Sequence, residues 1–172
     1  VYMSPKDRAS NAVIGDFDIE RNLTLPFLGS YSWLSMLRFQ FLRKLARNKI
    51  EEMGVICQSE NDEIETLSGG NQQKLLVGKE LLSDPTVLIA SHPTRGIDVG
   101  AQAAIWEQIK SARSNGLATL LISADLDELI GLSDVIVVMF RGKIVAKLDP
   151  NNISPRDLGG YMTGSSVQEQ RT

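Results

Sequence analysis

The chain has 172 residues, 42% hydrophobic and 23% charged, with a formal net charge of -3. That balance belongs to a folded globular domain and excludes both a disordered chain and a chain-wide basic surface for nucleic acid. The single cysteine, Cys57, excludes an internal disulfide and an all-cysteine metal site, and the single histidine, His92, leaves one candidate for imidazole chemistry.

In chain order, Val1-Tyr2-Met3 reads as the tail of a strand, so core elements are expected upstream of it, and Pro5-Lys6-Asp7-Arg8 reads as a charged turn. No signal-peptide pattern is visible there, and the chain is expected in the cytoplasm. A short helical turn is predicted within 16–25, closed by Pro26 and Gly29-Ser30. Residues 32–54 carry Trp33, Leu34, Leu37, Phe41 and Leu45 at helical intervals. That spacing predicts an amphipathic helix with Ser32 as N-cap, Gly54 at its C-terminal end, and a solvated basic face of Arg38, Arg43, Lys44, Arg47 and Lys49. A polar connector over 58–65 leads into Leu67-Ser68-Gly69-Gly70 and a helix predicted over 71–82, which Asp84-Pro85 breaks.

Residues 86–90 (TVLIA) have the length and unbroken apolar character of a buried parallel strand. Asp98 is placed to cap a helix over 99–114 with Ile105, Trp106 and Ile109 inward, ended by Asn115-Gly116. A second buried strand is predicted over 117–122 and a short helix over 125–131, where Asp125 and Glu128 have capping-box spacing. Strands at 135–140 and 143–148 flank an Arg141-Gly142 turn, Ser154-Pro155 opens a last helix, and the tail beyond Gly164 is polar. Even the longest apolar run, 135–140, is far short of the roughly 18 residues that span a bilayer. The alternation of strands and helices predicts an α/β layer with parallel pairing, preceded by a mostly helical segment.

Chemistry concentrates at Leu67-Ser68-Gly69-Gly70. Two glycines opening a helix leave backbone N–H groups unshielded, the helix dipole adds positive charge, and Ser68 adds a hydroxyl, which together suit an anion. Gly-Gly by itself is equally a turn. Asp98 reads either as a simple N-cap or as a contact residue, and His92 either as a structural residue or as a weak catalytic candidate.

Taken together, these residues resemble the ATP-binding-cassette (ABC) family, in its sugar and nucleoside importer form. Leu67-Ser68-Gly69-Gly70 resembles the signature motif, and Asn71-Gln72-Gln73-Lys74 the extension seen in those importers. Residues 86–90 with Pro93 resemble the Walker B strand, and Arg95-Gly96-Ile97-Asp98 resembles the D-loop. Leu120-Leu121-Ile122-Ser123-Ala124-Asp125 is similar to the strand and loop of the switch histidine, and Pro5-Lys6-Asp7-Arg8 with Asn22-Leu23 to the surroundings of the Q-loop. The resemblance spans residues 1–163. It implies a partial P-loop NTPase-like nucleotide-binding domain of α/β class, with a parallel sheet core and a helical signature subdomain. The expected organisation is a Q-loop-like segment at 1–15, a helical subdomain at 16–82 ending in the signature helix, an α/β core at 83–163 and a tail at 164–172.

The departures from that pattern fall on one side. No Gly-x-x-x-x-Gly-Lys-Ser/Thr phosphate loop is present, since Gly78-Lys79 is followed by Glu80 and Gly142-Lys143 by Ile144. Ser91 and His92 stand where the family usually carries Asp and Glu, Ala124 stands at the switch histidine, and Lys6 near the Q-loop glutamine. The resemblance therefore implies a hydrolytically poor Walker face beside an intact signature, as in the carboxy-terminal cassette of tandem importer ATPases, truncated at its amino end.

It further implies ATP and Mg bound mainly through a second cassette, contacted here by Ser68, Gly69, Gly70, Gln72 and Asp98, with no metal ligand in this chain. The implied partners are that second cassette, transmembrane permease subunits docking partly on residues 28–53, and indirectly a solute-binding protein, with no nucleic acid. The implied location is the cytoplasmic face of the cell membrane, peripherally bound.

Other readings compete with this one. Ser91, His92 and Asp98 contain the residue types of a hydrolase triad, but neighbours at a strand end point to opposite faces and no Gly-x-Ser-x-Gly elbow is present. A non-hydrolytic ABC-like regulatory or coupling module fits the lost Walker residues and is opposed by the intact signature. A soluble ABC ATPase of DNA maintenance or translation would bring a coiled-coil insertion or basic arms that are not visible here.

Overall fold

The computed structural model describes residues 2–4, 13–28, 32–33, 36–37 and 39–165, so the expected turn at Pro5–Arg8 with Lys6 and the end of the polar tail lie outside the described residues. Contacts divide the chain into two compact units, Val1–Leu120 and Leu121–Thr172.

In the first unit, a short strand β1 (Tyr2–Ser4) precedes the helical segment. Helix α1 (Ile19–Thr24) starts at Asp18, whose carboxylate accepts the Arg21 N–H at 2.7 Å, and runs into a 3-10 turn over Leu25–Phe27 that contains Pro26. Buried Asn22 accepts the Ile14 N–H at 2.8 Å and donates to the carbonyls of Ile14, Phe17 and Asp18, so one side chain satisfies the backbone of the incoming loop.

Helix α2 (Phe39–Glu52) begins seven residues later than the hydrophobic spacing predicted, because Ser32–Trp33 (β2) and Met36–Leu37 (β3) pair antiparallel instead. Ser32 is therefore a strand residue and not an N-cap. Ser30-Tyr31-Ser32-Trp33 alternates with period two, and that strand pattern overrides the helical one. At the far end the prediction holds. Gly54 is left-handed (φ 58), its N–H donates to Glu51 and the Val55 N–H to Ile50, which closes α2 with the paired bonds of a Schellman cap.

The basic face of α2 is exposed at Arg43, Lys44 and Arg47, as predicted, and departs from the prediction at Lys49, which is buried. Arg47 pairs with Glu60 at 2.7 Å, Arg43 with Glu20 at 3.1 Å, and Lys49, only 9% exposed, with Glu52 at 2.6 Å. The Arg43 and Arg47 pairs tie α2 to α1 and to the connector, the Lys49 pair lies within α2 itself, and the Arg47 guanidinium holds the Glu60 carboxyl below its ordinary range.

After a 3-10 turn at Ile64–Thr66, helix α3 (Gly69–Leu81) starts two residues before the predicted boundary. Ile19, Leu23, Ala46, Ile64, Leu67 and Leu75 form one buried cluster, so α1, α2, the turn and α3 share a core. Each fully buried Ile or Leu there contributes about 1.5–3 kcal/mol relative to exposure.

Strand β4 (Val87–Ser91) pairs parallel with β1 in the register Tyr2↔Leu88, Met3↔Ile89 and Ser4↔Ala90, and Leu88 and Ala90 are buried as predicted. Helix α4 (Val99–Ser114) follows, with Ile105 and Ile109 inward and Trp106 half-buried, and leads to β5 (Ala118–Ile122). The strand order is β1-β4-β5. β5 differs from its prediction as a buried strand, since Leu120 is 56% and Ile122 46% exposed. It ends the strand order, and an apolar run records a capacity for burial without naming a cover.

The second unit is built on helix α5 (Leu126–Leu132), capped by Asp125, which accepts the Glu128 N–H at 3.0 Å. Strands β6 (Ile136–Phe140) and β7 (Lys143–Leu148) form an antiparallel hairpin whose turn residues, Arg141 and Gly142, both have positive φ. Helix α6 (Pro155–Thr163), capped by Ser154, places Leu158 in a core with Ile136, Val138 and Ala146. Among the described residues, no helix is long and apolar enough to cross a membrane.

Two buried polar atoms, Trp106 Nε1 and Thr119 Oγ1, have no hydrogen-bond partner among the described residues. A buried unsatisfied hydroxyl carries its full desolvation cost. Thr119→Val keeps the shape and removes that hydroxyl, and we expect it to raise stability by about 1 kcal/mol, read as a higher midpoint in thermal or urea unfolding.

Candidate functional site

The site grows from the start of α3. Leu67 is buried in the helical core, whereas the next residue, Ser68, is exposed with extended backbone. The Ser68 carbonyl accepts the Gln72 N–H at 2.9 Å, and its Oγ accepts from the Asn71 backbone N–H at 3.4 Å and the Asn71 side-chain amide at 3.1 Å. Gly69, exposed, and Gly70, buried, form the first turn. The helix thus presents its N-terminal end as a tip without side-chain bulk, carrying the positive end of the α3 dipole.

Gln72 turns back toward the preceding turn, donating from Nε2 to the carbonyls of Leu67 at 3.0 Å and Ile64 at 3.2 Å. Lys74 donates to the Gly54 carbonyl at 2.8 Å, and Asn71 Oδ1 accepts the Ile56 N–H at 3.1 Å. Both bonds tie α3 to the segment that closes α2. Asn71 is the residue that sequence reasoning missed: it was read only as part of a motif extension, although Ser68-x-x-Asn71 has the spacing of a reciprocal cap.

Gly70 brings the second predicted element to the first. A methyl group on Gly70 would lie 2.8 Å from Asp98 Oδ2 and 2.9 Å from the Ala101 side chain, so the starts of α3 and α4 approach as closely as a glycine permits. Asp98 caps α4, accepting the Ala101 N–H at 2.9 Å. That N–H holds the Asp98 carboxyl below the usual carboxylate range, with the backbone N–H groups of Asp98 and Gly100 and then the Lys74 ammonium adding to the effect. The structure therefore assembles Ser68, Gly69, Gly70 and Asp98 into one surface.

Ser91 ends β4 and His92 follows it. His92 has a left-handed backbone (φ 50), and its carbonyl accepts the Arg95 N–H at 3.2 Å, which starts the turn toward Asp98. Ala124 is exposed in the second unit, where the neighbouring Ser123 Oγ accepts the Asp125 N–H at 3.0 Å. A hydroxyl and an imidazole make a poor donor set for a hard divalent cation such as Mg²⁺, which prefers anionic oxygens. Among the described residues, no group of three or more His, Cys, Asp and Glu side chains is arranged to hold a metal ion.

An α/β unit with a helical segment ending in a capped Gly-Gly tip is the architecture of an ATP-binding cassette. A dimeric structure of the cassette MJ0796, in a post-hydrolysis state bound to ADP and phosphate, matches it with a TM-score of 0.73 at 17% identity, over 88% of this chain and 63% of that one. In sequence, the chain is 39% identical to the guanosine import ATP-binding protein NupO of Bacillus subtilis (strain 168) over 96% of this chain and 33% of that protein. It is 37% identical to the ribose import ATP-binding protein RbsA of Roseobacter denitrificans over 95% of this chain and 32% of that protein. It is 38% identical to the galactofuranose transporter ATP-binding protein YtfR of Escherichia coli (strain K12) over 84% of this chain and 29% of that protein. No protein-family model matches the chain. The chain spans about a third of the length of the curated relatives it matches. Its fold is that of an ATP-binding cassette, and over nearly its whole length its sequence is similar to the ATP-binding proteins of such importers.

The contact between α3 and α4 has a direct test. Gly70→Ala forces a methyl group against Asp98 and Ala101, and we expect it to destabilise the chain by about 1–3 kcal/mol, measured as a lower unfolding midpoint.

Proposed function

We propose that this chain is part of the ATP-binding subunit of an importer for sugars or nucleosides, and that it supplies a signature tip to a triphosphate gripped by a second cassette. The observation that carries the reading is the exposed, Ser68-capped start of α3, packed through Gly70 against Asp98. Ser68 and the backbone of Gly69 and Gly70 would face the γ-phosphate from across the interface, and Asp98 would lie beside them at that interface. Such donors, fixed before the phosphate arrives, stabilise charge without reorganising. Gln72 would steady the tip from behind through its bonds to Ile64 and Leu67.

The chain's own Walker face is poor in this reading. Ser91 and His92 offer no fixed negative charge at the end of β4, and Ala124 offers no hydrogen bond at the switch position. ATP and its Mg²⁺ are then held mainly by the partner cassette, and His92 has no more than a weak catalytic claim. The helical subdomain at 16–82, including the described part of residues 28–53, would receive a transmembrane permease subunit, which in turn meets a solute-binding protein. The assembly would sit at the cytoplasmic face of the membrane and involve no nucleic acid. The names of the relatives, which import ribose and guanosine, support this solute class.

The missing carboxylates at Ser91 and His92 also favour a second reading, a coupling module without any role at a nucleotide. Ser68→Arg separates the two. A bulky cation at the tip removes the hydroxyl and blocks the surface, and ATP turnover of the full assembly should fall by at least about a hundredfold. Unchanged turnover would remove the signature role and leave the coupling module.

A further inference from the structure

We infer that Asn71 is a positioning residue that turns the Ser68 hydroxyl into an outward hydrogen-bond donor for a phosphate oxygen. The inference rests on the reading that Ser68 faces a triphosphate, and it explains how a side chain able both to donate and to accept is given one role.

The argument starts at Ile56. Its backbone N–H can only donate, and it points at the Asn71 side-chain amide at 3.1 Å. The amide atom that receives it must be the oxygen, which fixes the orientation of the whole group. Asn71 Nδ2 then faces Ser68 Oγ at 3.1 Å, and an NH₂ group can only donate. The Asn71 backbone N–H also points at the same oxygen, at 3.4 Å. Both lone pairs of Ser68 Oγ are thereby engaged by hydrogens from Asn71. The one hydrogen-bonding capacity that the hydroxyl retains is its own O–H, which must seek an acceptor outside this triangle.

Ser68 is exposed, so that acceptor comes from solvent or from a partner. An unassisted serine hydroxyl rotates freely and meets donors and acceptors alike. One locked in this way prefers groups that only accept, and a phosphate oxygen is such a group. The lock reaches back to the Schellman cap of α2, because Ile56 follows directly on Gly54 and Val55, and Lys74 pins the Gly54 carbonyl to the same helix. Asn71 acts through Ser68 and touches no substrate itself.

The test is a double-mutant cycle on ATP turnover by the full assembly, using Ser68→Ala, Asn71→Ala and the two combined. Each single change should lower kcat roughly tenfold with KM for ATP nearly unchanged, and the combination should also cost roughly tenfold. A combined loss of roughly a hundredfold means the two residues act independently and overturns the inference, as does full turnover by Asn71→Ala. Full turnover by Ser68→Ala instead sinks the reading of the tip on which the inference stands. Asn71→Asp guards against a purely structural effect: its carboxylate still accepts from Ile56 but now also accepts from Ser68, drawing the hydroxyl inward. It should fold like the parent in thermal unfolding and lose activity at least as far as Asn71→Ala, the loss shrinking several-fold in the Ser68→Ala background. Equal losses in both backgrounds would assign the effect to the added charge and overturn the role given to Asn71.

Discussion

The step from buried Leu67 to exposed Ser68 is the constraint on which the rest of the site depends. Within one peptide unit the chain passes from a core shared by α1, α2 and α3 to a surface offering a hydroxyl and a bare helix end. The tip is then held from three directions by different forces. Leu67 and Leu75 fix it by apolar burial, Gly70 fixes it by close packing on Asp98 and Ala101, and Asn71 with Lys74 fixes it by hydrogen bonds to residues 54–56. A donor set braced in this way loses little entropy on meeting an anion, and that is the condition under which weak donors become useful.

Magnitudes show what such a tip can and cannot do. An exposed helix N-terminus contributes about 0.3–1 kcal/mol toward a nearby negative charge, and a hydroxyl adds about 0.5–1.5 kcal/mol. Asp98, a carboxylate beside the tip, works against an incoming anion. Its charge is directed mainly at its own helix, through the Ala101 N–H, and Lys74 offsets part of the remainder. The sum is far below what holding a nucleotide requires.

Legibility in the sequence followed the range of the interactions. The end of α2 at Gly54, the turn at Arg141-Gly142 and the cap at Asp98 are set by residues within a few positions of each other, and all were readable. The start of α2 was not, because residues 32–37 fit helical spacing while Ser30-Tyr31-Ser32-Trp33 alternates with period two, and pairing decided between the two patterns. The partners of Arg43 and Arg47 escaped for a different reason. A basic stripe on one helix is visible in sequence, but Glu20 and Glu60, brought to it by folding, are not. Asn71 was hidden because its partner, the Ile56 N–H, is a backbone group that no side-chain motif reports.

The segment from Ser91 to Asp98 is best understood mechanically. A left-handed backbone at a residue with a side chain costs about 1–2 kcal/mol, and His92 adopts one with its carbonyl bonded to the Arg95 N–H. Something must hold the chain there, and Pro93 and Thr94, both buried, anchor the turn directly after it. The outcome of that strain is geometric: β4 ends, the chain reverses, and six residues beyond His92 the Asp98 carboxylate arrives against Gly70. The loop therefore earns its place as a strut between the sheet and the tip of α3, a role that depends on backbone path and burial and makes no demand for a carboxylate at Ser91 or His92. A chain can lose the acidic residues at that strand end and still keep the surface built by Ser68, Gly70 and Asp98, because the two depend on different properties of the same loop.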